Sequence, residues 1–268
     1  MAGPSIALIG AGRMGAALAS GWLAGKGKPD IRIQDPNPSE TVTVWAEAGR
    51  VTLNPEPEPV DVLIVAVKPQ VFPKMADSLK SWIGPKTLVV SIMAGTRIKQ
   101  LAERLGTGCV IRVMPNTPGA IGKGVSVIAK SDMVMARQLE IAEKLLKPLG
   151  AVIGPVDEKH MSVVTGLSGS GPAYIFLLAE AMADAAMAEG LPADLAAELA
   201  ALTIEGAAAL MVQSDETPAA LRKAVTSPGG TTQAALDILM DEGGMPILMR
   251  KAIRAAANRD RELSRDTD

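Results

Sequence analysis

Two short stretches combine residue types and spacings that chemistry needs. The first is Ile6-Ala7-Leu8-Ile9-Gly10-Ala11-Gly12-Arg13-Met14-Gly15, an apolar run ending in G-x-G-x-x-G and opening into a helical pattern. Each glycine has its own task there: Gly10 makes a tight turn, Gly12 lets a pyrophosphate approach the backbone, and Gly15 lets helix and strand pack closely. Free N–H groups at the helix start, with the helix dipole, then favour phosphate. At the first strand–helix junction of an alternating domain, the pattern reads as a dinucleotide site and not as a glycine-rich turn. Asp35 ends the second apolar run, where an acidic residue binds a ribose 2′-hydroxyl and repels a 2′-phosphate. Pro36-Asn37-Pro38-Ser39 leaves a second arrangement open, with Asp35 bent aside and Asn37 or Ser39 donating to phosphate.

The second stretch is Val225-Thr226-Ser227-Pro228-Gly229-Gly230-Thr231-Thr232-Gln233. Gly229 and Gly230 lead into a helix, so successive N–H groups can form an anion cradle, and Ser227, Thr231 and Thr232 add neutral hydroxyls. This suits a small carboxylate whose neighbouring atom needs a hydrogen bond but no strong base. A plain N-capped helix would need one Ser or Thr, not a cluster.

Three loops at the carboxyl ends of apolar runs are further candidates, because ligands of open α/β sheets bind there. They are Ala66-Val67-Lys68-Pro69, Met93-Ala94-Gly95 and Met114-Pro115-Asn116-Thr117-Pro118. Lys68 reads either as a partner for a phosphate or carboxylate or as a solvated helix-start lysine. Asn116, between two prolines, is placed to donate near a nicotinamide, and Asn54 is a candidate for the adenosine side. His160, the only histidine, reads as a surface or junction residue. No metal site is expected.

The elements that must position these residues fall into two halves, 1–155 and 156–268. In the first, the runs Ser5-Ile9, Ile31-Gln34, Val60-Val67, Thr87-Ile92, Cys109-Met114 and Val125-Ala129 alternate with helical patterns. The runs are mostly continuous and β-branched, as strands buried on both faces should be. Strand, helix, strand at this spacing predicts an α/β domain with a parallel doubly wound sheet, a Rossmann domain. From about Val156 the strand signal stops and helical segments follow: Lys159-Glu189, Ala193-Gln213, Pro218-Val225, Thr231-Asp241 and Pro246-Leu263. Roughly 110 residues of thin amphipathic helices make a small core by themselves, so this half is expected to dock onto a second subunit.

Composition narrows the function classes. The chain has 268 residues, 48% hydrophobic and 21% charged, with a net charge of −2. That supports a proper core, and no basic stripe with interleaved aromatics points to nucleic acid. The single cysteine, Cys109, in an apolar stretch read as a buried strand, fits a reducing compartment. The first residues lack a signal-peptide pattern, and no uninterrupted apolar run of roughly 18 residues suggests a membrane span. A cytoplasmic location is the expectation.

With these residues in view, the chain resembles the pyrroline-5-carboxylate reductase family. The resemblance rests on Leu221 to Leu239 with its T-S-P-G-G-T-T core, V-T-G-L-S-G-S-G-P-A-Y at Val164 to Tyr174, M-P-N-T-P at Met114 to Pro118, and A-V-K-P at Ala66 to Pro69. It implies an N-terminal Rossmann domain followed by an all-α C-terminal dimerisation domain, as a homodimer or a ring of dimers. It implies reduction of pyrroline-5-carboxylate to proline with Ile9, Gly10, Ala11, Gly12, Arg13, Met14, Asn54, Ala66, Val67, Lys68, Pro69, Ala94 and Asn116 bordering the cofactor. It implies that Thr231 and Thr232 contact the substrate, with Thr232 donating to the ring nitrogen. Ser227, Gly229 and Gly230 would line the carboxylate pocket, and Glu158 would stand near the substrate. The resemblance implies NADPH as cofactor, and Asp35 keeps NADH possible.

Reducing a cyclic imine needs a hydride at carbon and a proton at nitrogen, and a protonated imine brings its own proton. A sequence short of acid–base groups fits that chemistry. A 3-hydroxyacid dehydrogenase of related build needs a proton carrier such as a lysine in the first C-terminal helix, and no lysine lies between Lys159 and Arg222. A non-enzymatic dinucleotide-sensing module explains the first half but not the cradle at Ser227 to Thr232.

Overall fold

The computed structural model describes residues 3–25 and 29–265. They form two compact units, one of residues 3–169 with 255–265 and one of residues 170–254. The compact units divide after Gly169, and the end of the last helix belongs with the first unit.

The first unit runs β1 (Ser5–Ile9), α1 (Arg13–Ala24), β2 (Asp30–Gln34), α2 (Glu40–Glu47), β3 (Thr52–Leu53), β4 (Val62–Val65), α3 (Phe72–Leu79), β5 (Leu88–Ser91), α4 (Ile98–Leu105) and β6 (Val110–Met114). It continues through β7 (Gly124–Lys130), α5 (Ala136–Leu146), β8 (Gly150–Ile153) and α6 (Met161–Val164). The strands make one eight-stranded sheet in the order β3-β2-β1-β4-β5-β6-β7-β8. From β3 to β6 all pairs are parallel, with Ile6 opposite Ile31 on one side and Val62 on the other. This is the strand order of a dinucleotide-binding sheet, with its switch point between β1 and β4.

The physical reason lies in the continuous apolar runs. Successive residues of a strand face opposite sides. Ile6, Leu8, Ile31, Ile33, Val62 and Ile64 bury into one layer with Leu18, Trp22 and Leu146. Ala7, Ile9, Leu63 and Val65 bury into the other with Phe72, Leu79 and Leu101. Both faces are covered, so no polar alternation survives in the sequence.

The sheet departs from the all-parallel expectation at β7, which pairs antiparallel with β6. The connection 115–123 holds only a 3₁₀ turn, Thr117–Ile121, too short for the crossover that a parallel pair requires. β8 then pairs parallel with β7 after a helical crossover through α5. The two-residue β3 falls at the end of the short run Arg50-Leu53, ahead of Asn54, while β8 is not foreseen by the apolar pattern. Cys109 is half-buried and lies just ahead of β6 rather than inside it.

The expected helix Lys159-Glu189 is not one regular helix. A 3₁₀ turn Glu158–His160 and α6 pass into a π-helical turn, Thr165–Gly169, before α7 (Gly171–Ala188) begins. Gly169 lies against the Met114 side chain, which a Cβ would strike. A π turn widens the helix by one residue per turn and is a frequent feature of functional sites.

The second unit contains α7, α8 (Ala193–Gln213), α9 (Pro218–Ala224), α10 (Thr231–Leu239) and the first part of α11 (Met245–Arg265). Among its described residues only Ala196 and Ala200 are buried. Phe176, Leu177, Leu202, Leu210 and Val212 stand more than half exposed. Two helical runs, Glu158–Ala188 and Ala193–Gln213, are long and apolar enough by length and composition to cross a membrane. Counting uninterrupted apolar residues misses them, because single acidic residues such as Glu180, Asp184, Glu198 and Glu205 break each run.

Candidate functional site

The glycine-rich loop has the geometry its spacing demands. Gly10 turns with φ +90 and donates its N–H to Gln34 O at 2.9 Å. A Cβ there would lie 2.9 Å from Ala66 O. A Cβ on Gly15 would drive into Gly10 O, so glycine is required for α1 to pack against β1. Gly12 is the N-cap of α1, no side chain caps that helix start, and a Cβ on Gly12 would meet open space. The loop is therefore tight where helix meets strand and open where a phosphate must approach. That is the fit a pyrophosphate needs.

The other cofactor candidates separate by geometry. The Ile9 side chain is wholly buried, and its carbonyl accepts from Ala66 N–H at 2.8 Å, so it ties β1 to the Ala66-Pro69 loop. Arg13 is exposed at the start of α1, and Met14 is half-buried, its methyl close to Gly119. Ala66 and Val67 are half-buried, and Lys68 is exposed. Ala94 is half-buried beside Gly95, which takes φ +68 and packs on Leu263. These loops all follow the carboxyl ends of β1, β4, β5 and β6 within one unit.

Asn116 acts as a brace. Its Oδ1 accepts from Val125 N–H at 2.8 Å, and its Nδ2 donates to Ser168 O at 3.3 Å and Ser168 Oγ at 3.4 Å. It joins the loop after β6 to β7 and to the π turn. Asn54 is likewise a brace, for Asp35, whose carboxylate accepts from Ala11 N–H at 2.7 Å and Asn37 N–H at 2.9 Å. Asp35 is thus turned toward the glycine loop, and Ser39 makes no side-chain cap on α2.

Glu158 has partners within the first unit. Its Oε1 accepts from Ile98 N–H at 2.8 Å and lies 3.4 Å from Arg112 Nη1. Arg112 is 3% exposed and its Nη2 lies 3.5 Å from Asp260, also 3% exposed, on α11. Sequence reasoning missed this cluster. The signal present was an arginine inside the apolar strand Val110–Met114, since a buried cation must be paired. Neighbouring Asp157 is held below the ordinary carboxylate range by the side-chain hydrogen bond from Lys159. His160 is exposed, on the 3₁₀ turn that follows Asp157.

Removing Arg112 should strand two carboxylates. Arg112→Met is expected to lower unfolding stability by about 3 kcal/mol, with Asp260→Asn added to it recovering part of the loss. Urea denaturation measures both, and an Arg112→Met chain as stable as the parent would show that the cluster is solvated.

In the second unit the cradle is a turn feeding α10. Gly229 takes φ +72, and Gly230 N–H donates to Ser227 O at 3.0 Å. A Cβ on Gly230 would crowd Ser227 Oγ, so both glycines answer to backbone geometry. No side chain caps the start of α10, Thr232 is half-buried and Thr231 is exposed. A cavity of about 500 Å³ nearby is lined by Arg222, Lys223, Thr226, Gln233, Asp237 and Asp241 among others. Its charges are of both signs, whereas the cradle offers neutral donors alone.

Fold and fingerprint together define an NAD(P)-type dinucleotide-binding domain joined to a helical module. Comparison with known proteins refines this class. Residues 158–263 match the family pyrroline-5-carboxylate reductase dimerisation, and residues 5–95 match NADP oxidoreductase coenzyme F420-dependent. The pyrroline-5-carboxylate reductase of Arabidopsis thaliana is 39% identical, over 97% of this chain and 95% of that one. That of Pseudomonas aeruginosa is 38% identical, over 98% of each. Among solved structures, a pyrroline-5-carboxylate reductase from Coxiella burnetii superposes with a TM-score of 0.89 at 32% identity, covering 97% of this chain and 98% of that one. The Plasmodium falciparum pyrroline carboxylate reductase with NADP bound gives 0.82 at 26% identity, covering 98% and 99%. The chain belongs to the pyrroline-5-carboxylate reductase family.

Proposed function

We propose that this chain reduces L-1-pyrroline-5-carboxylate to L-proline, the final step of proline biosynthesis, with NADPH as reductant and NADH also admitted. The observation that carries this reading is the similarity to named reductases along nearly the whole chain, at 39% identity. The open face of the glycine loop at Gly12 supports a dinucleotide there. When bound, the reduced nicotinamide supplies the hydride.

The chain's own residues bind and orient. Ser227 and the Gly229-Gly230 backbone hold the substrate carboxylate, Thr231 adds a contact, and Thr232 donates to the ring nitrogen. The imine enters protonated, so no strong acid is needed and positioning dominates. Glu158, Asn54 and Asn116 brace loops of the first unit. The reading is tested by following cofactor absorbance with pyrroline-5-carboxylate and, separately, with 3-hydroxyisobutyrate and oxidised cofactor. Turnover of the first alone, with proline formed, is expected; oxidation of the hydroxyacid would overturn it.

Assembly follows from the exposed apolar faces. A unit with two buried alanines cannot hold itself together by its own core, and large apolar patches on a protein mark an interface. The covering surface is a second copy of the chain, in a homodimer or a ring of dimers, and the location is cytoplasmic. Light scattering at low micromolar concentration should give at least twice the 27.7 kDa chain mass. An active monomer would refute this.

A further inference from the structure

The last turns of α11 belong to the first unit and close there on a single loop, residues 92–97, between β5 and α4. Met93, Gly95 and Thr96 are buried, and Ala94 between them keeps part of its surface exposed. Gly95 turns with φ +68, and a Cβ there would lie 3.2 Å from Leu263 Cβ, so the helix end packs directly on the loop backbone. Gln100, itself buried, holds both sides of this junction. Its Oε1 accepts from Arg97 N–H at 2.8 Å and secures the start of α4. Its Nε2 donates to Ser264 O, also at 2.8 Å, from 164 residues away in the chain. One turn earlier on the same face of α11, Asp260 Oδ2 stands 3.5 Å from Arg112 Nη2 on β6. Ser264 Oγ donates to Asp260 O at 2.8 Å and ties the two turns together.

Burial alone does not require this arrangement. A helix end packed by Leu263 alone is free to slide along the loop, because apolar contact has no direction. A carbonyl met by an amide, and a carboxylate met by a guanidinium, each fix one register, at a desolvation cost that apolar residues would not carry. What they hold in register is a loop at the ligand-binding edge of the sheet. In a doubly wound sheet the two mononucleotide halves lie on either side of the switch point. The glycine loop follows β1, in the half β3-β2-β1, and residues 92–97 follow β5, in the half β4-β5-β6. With the pyrophosphate on the glycine loop, the loop after β5 is on the nicotinamide side.

We propose that Gln100 and Asp260 are positioning residues for the hydride donor. Through the last turns of α11 they fix the backbone of residues 93–96, against which the nicotinamide half of the dinucleotide packs. This rests on the reading that the glycine loop holds the dinucleotide. Both side chains are buried, and both act through the loop.

Two substitutions loosen the junction from different sides. Gln100→Glu keeps the acceptor for Arg97 N–H and turns the donor to Ser264 O into a repelling oxygen. Asp260→Asn removes the charge facing Arg112 with little change of shape. NADPH and its fragment without the nicotinamide ring, 2′-phospho-ADP-ribose, are titrated by calorimetry into wild type and both variants, each first shown to be folded by circular dichroism. Gln100→Glu is expected to weaken NADPH binding by about tenfold and Asp260→Asn by about threefold, with the fragment held within about twofold in both. Amide hydrogen exchange at residues 93–97 should rise in both variants. Equal losses for NADPH and the fragment would show that the whole unit has loosened, and would overturn the proposal. So would parental NADPH affinity in a folded Gln100→Glu chain; were that chain unfolded, Asp260→Asn would decide by the same criteria. If the wild type bound neither NADPH nor the fragment, the dinucleotide reading would fall, and the proposal with it.

Discussion

A Gly12→Val chain should fold normally and bind neither NADPH nor NADH. The Cβ position of Gly12 faces open space, so an added Cβ meets no atom beyond its chain neighbours within 4 Å. It projects instead from an uncapped helix start, where a pyrophosphate must come close to the backbone. Circular dichroism and thermal unfolding should match the parent, while cofactor fluorescence titration loses its binding phase. Gly15→Ala makes the contrast, because its Cβ would strike Gly10 O and force α1 away from β1. That variant should lose stability first and binding as a consequence. A folded Gly12→Val chain with parental affinity would place the dinucleotide elsewhere.

Thr232→Ala should lower kcat by about ten- to a thousandfold, equivalent to about 1.4–4 kcal/mol of barrier, while cofactor affinity holds. A hydrogen bond to the ring nitrogen matters most as that atom changes charge and geometry, so its loss weighs on the transition state more than on binding. Residual activity should remain, because a protonated imine needs orientation rather than an acid. Thr232→Ser keeps the hydroxyl and should retain most of the rate. The structure sharpens the control: no side chain caps α10, so Thr232→Ala removes no helix cap and the variant should fold. Parental kcat with a raised KM would make Thr232 a binding contact only.

The legible parts of this protein share one physical property: they are local. A strand covered on both faces must be apolar at every position, so Ile6 to Ile9 and Val62 to Val65 declare themselves without reference to anything distant. A turn that needs φ +90 beside a carbonyl needs glycine at Gly10, and a helix packed against that carbonyl needs glycine at Gly15, so both are visible too. The helix starts at Ala193 and Pro218 are equally local, set by proline and capping residues in the sequence itself. The apolar runs and the glycine fingerprint were enough to place a dinucleotide domain first and a helical module second.

What the tertiary structure decided is which distant groups meet. The carboxylates of Asp35 and Glu158 looked free to face ligands, and only the fold brings Ala11 N–H to the one, and Ile98 N–H and Arg112 to the other. Asn54 and Asn116 read as ligand contacts, and the fold adds bonds from both ends of each amide to groups that the chain brings beside them. The reversal of β7 depends on the shape of the nine residues 115–123, which include Pro115 and Pro118, and Asp260 finds Arg112 across more than half of the chain length. Sequence periodicity reports how much of a segment is buried; it carries no record of the partner. Residue types thus determined the layers and the glycine loop, while pairing between polar groups far apart in the chain, which depends on the whole set of packed elements, decided which of them meet.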